Sequence, residues 1–259
     1  MRLELPAPLV AAGASNDPIG THTSKTMMLP ELQLLLAAAP GAVPYREYAR
    51  AAGEDNALRK GTAATRAKTL SMLRQLYALS GDVPIFAALR GLWSADPAAQ
   101  PLLALLCSTA RDPLLRATVH RVLALEPGDP IGPSELAEEV AAAFPNRYKP
   151  GTLHHIGQNT GASWAQAGLL HGRARKVRVR ARPVPIAAVY ALYLGHLSGL
   201  SGPALFTSLW AQLLDTDAVS VRSLAAASAH AGWLEYASSG GMTEIGFRHL
   251  DEIVAAEAV

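Results

Sequence analysis

Apolar residues recur at helical spacing along most of this chain. Leu29 to Ala39 is densely apolar, and Ala63 to Ala78 sets Ala67, Leu70, Leu73 and Leu76 three residues apart. Val83 to Trp93, Ala98 to Ser108 and Pro113 to Leu125 continue the pattern. Asp112 before Pro113 predicts a helix start, with a capping carboxylate followed by proline in the first turn. No strand signal precedes residue 169. Residues 1–28, rich in Pro, Ala, Gly and Ser, predict a mostly irregular arm. Glu126-Pro127-Gly128-Asp129-Pro130 reads as a turn-rich linker that closes a helical domain over residues 29–128.

Beyond the linker the pattern changes. Pro133 opens a short helix to Phe144, residues 145–150 turn, and Thr152 is placed to cap a second helix to about Ala167. Gly168 stops that helix, and Arg173 to Arg180 alternate well enough to predict an extended ribbon. Helix, turn, helix and ribbon is the plan of a winged helix. A repeat supports it: Ser163-Trp164-Ala165-Gln166-Ala167-Gly168-Leu169-Leu170 aligns with Ala227-Ser228-Ala229-His230-Ala231-Gly232-Trp233-Leu234, 64 residues later. In the second copy Ile186 to Leu197 and Ala204 to Leu214 supply the earlier helices, with Asp217 and Ser220 as candidate caps for the third. The expected fold is mainly α: an N-terminal helical bundle, then tandem winged-helix units at residues 131–183 and 184–259.

Half of the 259 residues are hydrophobic, enough to bury a core and to exclude a disordered chain. The net charge of +2 hides a segregation. Residues 140–214 contain no Asp or Glu but hold Arg147, Lys149, Arg173, Arg175, Lys176, Arg178, Arg180 and Arg182. The other residues therefore carry 15 bases against 21 acids. A basic segment inside an acidic protein is the footprint of a polyanion partner. Arginine supplies 18 of the 23 basic residues, and its planar fork suits phosphate and guanine edges. The second ribbon instead carries Glu235 and Glu244, so the first unit is the one expected to grip nucleic acid.

Turning Leu153, Ile156 and Trp164 inward leaves His154, His155, Gln158, Asn159 and Gln166 as candidates for base edges. Lys149 and Thr152 at the helix start would touch a flanking phosphate. Arg173, Arg175, Lys176, Arg178, Arg180 and Arg182 on the wing would supply phosphate neutralisation. Gly157 and Gly161 inside the helix weaken it by about 1 kcal/mol each, which marks a break or a close backbone approach to the duplex. A second basic group, Arg59, Lys60, Arg66, Lys68 and Arg74, is a further phosphate-clamp candidate, although a solvated helix face explains it equally well.

Signals for catalysis are missing. Gly20-Thr21-His22-Thr23-Ser24-Lys25-Thr26 lacks the glycine before lysine that a phosphate-binding loop requires, and it follows no apolar strand. His154-His155 is the only adjacent histidine pair, and no Cys, Asp or Glu lies within 14 residues of it, so no metal site is expected. Cys107, alone in an apolar helix, reads as a buried hydrophobe and points to a reducing compartment. The run Ile186 to Leu200 is broken by Gly195, His196 and Ser198 and is too short and polar to span a bilayer. No apolar core follows Met1-Arg2-Leu3-Glu4 to make a secretory signal. A cytoplasmic, non-enzymatic protein without cofactor or metal is expected.

Three stretches carry a family resemblance: Thr23-Ser24-Lys25-Thr26-Met27-Met28-Leu29-Pro30-Glu31, Thr62-Ala63-Ala64-Thr65-Arg66-Ala67-Lys68, and Lys149-Pro150-Gly151-Thr152-Leu153 running through Asn159 and Ser163-Trp164 to Gly168-Leu169-Leu170. Over residues 20–250 the chain resembles the BrxA-type proteins of BREX bacteriophage-exclusion systems. The resemblance implies a small, mostly helical DNA-binding accessory factor of phage defence, without catalytic motifs. Double-stranded DNA and other defence-system proteins are the expected partners. The apolar surface of residues 186–197 leaves a second copy open as another. Two alternatives stand beside this reading: an adaptor whose ribbon meets an acidic protein, and an RNA binder, since phosphate contacts do not separate the two polymers.

Overall fold

The computed structural model describes residues 2–17, 20–41, 44–173, 175–239 and 242–257. A short helix α1 (Ala7–Ala11) and a single 3-10 turn (Thr21–Thr23) lead into α2 (Leu29–Ala38), α3 (Tyr45–Gly53), α4 (Ala63–Tyr77), α5 (Pro84–Leu92) and α6 (Gln100–Arg111). Two short helices follow, α7 (Pro113–Ala117) and α8 (Val119–Leu123), and then strand β1 (Pro130–Ile131). Next come α9 (Pro133–Ala143), α10 (Pro150–Gln166), β2 (Leu170–His171) and β3 (Lys176–Arg178). The chain continues with α11 (Pro185–Leu197), a 3-10 segment (Gly202–Thr207), α12 (Leu209–Gln212), α13 (Ala218–His230), the hairpin β4 (Glu235–Ser239) and β5 (Met242–Gly246), and α14 (Arg248–Glu257). The fold is mainly helical with two small antiparallel sheets, ordered β1-β3-β2 and β4-β5.

Local chemistry accounts for the helix starts. Thr62 accepts the Thr65 amide at 3.1 Å, Asp112 the Leu114 amide at 2.9 Å, and Asp217 the Ser220 amide at 2.8 Å, so each satisfies a donor the helix leaves open. Asp217, not Ser220, is thus the cap of α13. Thr152 does not cap α10, because that helix already begins at Pro150, where fixed φ and the missing amide proton suit the first position. Ala204 to Leu214 is a 3-10 segment followed by one turn of helix instead of a continuous helix. Helix α3 has no counterpart among the sequence expectations.

A single hydrophobic core runs from Leu5 to Leu250 across the expected linker. Helix α11 is its axis: every residue from Ile186 to Gly195 is buried, and the Tyr190 hydroxyl donates to the Ile85 carbonyl at 2.8 Å. Helix α14 closes over α5 so tightly that a Cβ on Gly91 would lie 2.8 Å from Ile253. A smaller cluster of Leu114, Val140, Ala143, Phe144 and Ile156 joins α7, α9 and α10.

The N-terminal arm belongs to the same core. Leu5, Leu9, Met27 and Met28 are buried, and the guanidinium of buried Arg116 donates to the carbonyls of Leu3, Ser15 and Thr109 at 2.8–3.0 Å. Burial pulls the Arg116 pKa down to about 10.

Candidate nucleic-acid interface

The expected turn at 126–130 is the first edge of a sheet. Pro130 pairs with Val177 and Ile131 with Lys176, while on the other side of β3 Leu170 pairs with Arg178 and His171 with Val177. The Gly128 amide also donates to the Arg178 carbonyl, and the Arg178 amide to that of Asp129, both at 2.9 Å. A two-residue strand has no alternation to detect, so β1 carries no periodic signal.

The β2–β3 hairpin is shorter than the ribbon expected from 173 to 180. Gly172 makes its turn at φ +111°, where a Cβ would come within 2.7 Å of the Arg175 carbonyl oxygen. Strand alternation then decides which basic residues face out. Lys176 and Arg178 share one face, and that face is turned toward the protein.

Arg178 is the clearest correction: the sequence pattern puts it on the solvent side of the wing, and it is buried at 1% exposure. Its guanidinium meets Asp215 in a two-point ion pair, one contact at 2.9 Å between Nη1 and Oδ2 and a second between Nη2 and Oδ1, and also donates to the carbonyls of Leu169 and Val179. A buried guanidinium requires such partners. Asp215 in turn accepts from Arg180 at 3.0 Å and from the Ala181 amide at 2.8 Å, locking residues 178–181 to the end of α12. Arg180, half-exposed, also lies 3.6 Å from Glu126, so its charge is already offset.

Helix α10 gives a second correction. Asn159 and Gln166 are half-buried and already engaged. Asn159 donates to the His22 carbonyl at 2.9 Å, while Gln166 accepts the Leu29 amide at 3.3 Å and donates to the Thr26 hydroxyl at 3.2 Å. Both hold the N-terminal arm. Gly157 and Gly161 serve packing: a Cβ on Gly157 would sit 2.0 Å from the Pro133 carbonyl oxygen, and one on Gly161 would sit 3.1 Å from Leu136. The close approach expected of them is to α9.

The exposed surface that remains consists of Lys149 before α10, His154, His155 and Gln158 on its first turns, Arg173 and Arg175 on the wing, and Arg182 beyond it. Gln158 and His154 touch at 3.0 Å across one helical turn. Thr152 is half-buried in the first turn. Lys176 is also half-buried; its ammonium donates to the Gly172 and Arg173 carbonyls at 3.4 and 2.6 Å, and burial lowers its pKa.

The second basic group is only partly free. Lys60 pairs with Glu31 at 2.9 Å and the Arg74 guanidinium lies 4.1 Å over the Tyr45 ring, leaving Arg59 and Lys68 exposed and Arg66 half-buried.

One constellation escaped sequence reasoning because its members lie 90 and 51 residues apart. His22 Nδ1 is 2.7 Å from Asp112 Oδ2, and His22 Nε2 is 2.8 Å from Ser163 Oγ. Burial pushes the Asp112 carboxyl upward, but the adjacent His22 and the His22 and Leu114 amides outweigh it and hold the pKa below the usual aspartate value. These are the residue types of a nucleophile, base and orienting acid. Yet all three are buried at 0–1% exposure, and Ser163 Oγ is engaged by the Met27 amide at 2.8 Å and by the Asn159 carbonyl at 2.9 Å. The group ties the arm to α6–α7 and to α10. Gly20 is required beside it, since a Cβ there would lie 2.2 Å from the Asp112 carboxylate.

Among the described residues, no three His, Cys, Asp or Glu side chains are grouped to hold a metal ion, and no helix is long and apolar enough to cross a membrane. No protein-family model and no curated protein matches the chain.

Proposed function

We propose that this chain is a non-catalytic, duplex-DNA-binding accessory protein of a BREX-like phage-defence system, acting in the cytoplasm with other defence proteins. The reading treats α7–α8, β1, α9, α10 and the β2–β3 hairpin as a winged-helix unit, with α10 entering the major groove and the hairpin lying along the backbone. The β1-β3-β2 strand order supports it. A second unit of the same kind is formed by α11, the 202–212 segment, α13 and the β4–β5 hairpin.

The observation that carries the proposal is the exposed basic surface formed by the start of α10 and the wing, a stretch of chain that itself contains no acid. Lys149, Arg173, Arg175 and Arg182 supply phosphate contacts, and His154, His155 and Gln158 are the side chains free to reach base edges. Arg178 contributes by holding the wing in place. The defence role rests on the family resemblance.

Gel-shift titrations with duplex, single-stranded DNA and RNA at several salt concentrations test the reading. Duplex binding that weakens steeply with salt, and weakens further in Lys149→Ala, supports it. Salt-independent binding, or equal preference for RNA, contradicts it. An adaptor whose basic ribbon meets an acidic protein is the second reading, since exposed Arg173 and Arg175 can pair with carboxylates as well as with phosphates. An adaptor would copurify with a large partner and leave duplex unshifted.

A further inference from the structure

Between the exposed face of α10, the start of α9 and the wing turn lies a groove of about 590 Å³. That volume matches the sites that enclose small ligands. No carboxylate lines it. Its floor is apolar, formed by Ile131, Leu136, Gly161 and Ala162. Arg173, Lys176, His154 and Gln158 also line it, and the Lys176 side chain passes beside Gly161, 3.4 Å from where a Cβ would stand.

The two cations lack anionic partners. Arg173 makes no ion pair among the described residues, and the Lys176 ammonium is held only by neutral carbonyls. Lys176 is half-buried; two carbonyls solvate its ammonium, but among the described residues no anion offsets the cost of taking its charge from water. A phosphate would supply that offset. The apolar floor suits a flat ring, and the Gln158 amide can pair with a ring edge that both donates and accepts, as adenine does.

We infer that this groove binds a mononucleotide, with its phosphate on Arg173 and Lys176, its base against Leu136 and Ala162, and its base edge at Gln158. The groove shares Arg173, His154 and Gln158 with the proposed duplex contact. Its test contains no DNA, so failure to bind a mononucleotide leaves the duplex reading standing, and failure to bind duplex leaves this one.

The test is calorimetric titration of the full chain with AMP, adenosine and inorganic phosphate. AMP should bind at least tenfold more tightly than either fragment. Ala162→Trp should fill the groove and abolish AMP binding. Lys176→Met should weaken AMP at least tenfold, and it serves as the second variant if the tryptophan prevents folding. No AMP binding at millimolar concentration overturns the inference. So does phosphate binding as tightly as AMP, or undiminished AMP binding by a folded Ala162→Trp protein.

Discussion

The hairpin after α10 and the hairpin after α13 start alike, each with Ala-Gly and two apolar residues. They are then anchored differently. The first is braced on both sides of β3, by β1 and β2, and holds Arg178 beneath it on Asp215. The second is a lone two-stranded ribbon whose Met242 is 78% exposed, and its ion pair, Arg248 with Glu235, lies at the surface at 3.8 Å. Asp215 follows α12, in the segment leading to α13, so the first acid beyond the acid-free stretch supplies the anchor for the basic hairpin. An arginine-rich stretch thus mixes two kinds of side chain. Arg178 holds the hairpin, and Arg173 and Arg175 stay exposed.

The contrast can be broken most forcefully at the anchor. Asp215→Ala strands a buried guanidinium and is expected to cost about 4–5 kcal/mol, the upper range for removing one partner of a buried pair, measured by urea unfolding. A loss below 1 kcal/mol would mean that Arg178 is not committed to the fold. His22→Ala should cost about 1–3 kcal/mol, since it removes the imidazole bonds to buried Asp112 and Ser163 while the amides of residue 22 and Leu114 still reach the carboxylate.

Asp112 also predicts a pH dependence with a definite sign. Its folded pKa is depressed, so its contribution is complete above the unfolded value, about 3.9, and is lost as pH falls through the folded value. Wild type should therefore exceed Asp112→Asn in stability at pH 6, and the gap should narrow below about pH 4. An unchanged gap would contradict the buried pairing.

Gly157→Ala gains about 1 kcal/mol of helix propensity, but its Cβ would meet the Pro133 carbonyl oxygen at 2.0 Å. Backbone cannot yield as a flexible side chain can, so a net loss of about 1–3 kcal/mol is expected in thermal unfolding. Glu235→Ala, at the surface pair of the second hairpin, should change stability by less than about 1 kcal/mol. A larger loss there would erase the contrast between the two hairpins.

Helices such as α4, α5, α6 and α10 were legible in the sequence because each carries apolar residues at helical spacing or an end signal, whereas α3 and α14 were not. Asp112–Pro113, Asp217 and Gly168 mark such ends. What sequence missed depends on tertiary pairing. Strand β1 has two residues and takes its structure from β3. The fate of Arg178 depends on Asp215, 37 residues away, and alternation alone does not say which face of a strand is inside. Asn159 and Gln166 looked free because their partners, His22, Thr26 and Leu29, lie in an arm that composition marks as irregular. The sequence therefore located the basic unit but overcounted its available ligands.

The most direct test of the central claim is the salt dependence of duplex binding, followed by fluorescence anisotropy, for wild type and for Arg173→Ala/Arg175→Ala. Both arginines are exposed, so the double variant should unfold like wild type within about 0.5 kcal/mol. It should bind duplex more weakly, with the slope of log K against log salt reduced by up to about 0.9 for each phosphate no longer neutralised. An unchanged affinity and slope would contradict the claim that the free arginines of the wing meet DNA.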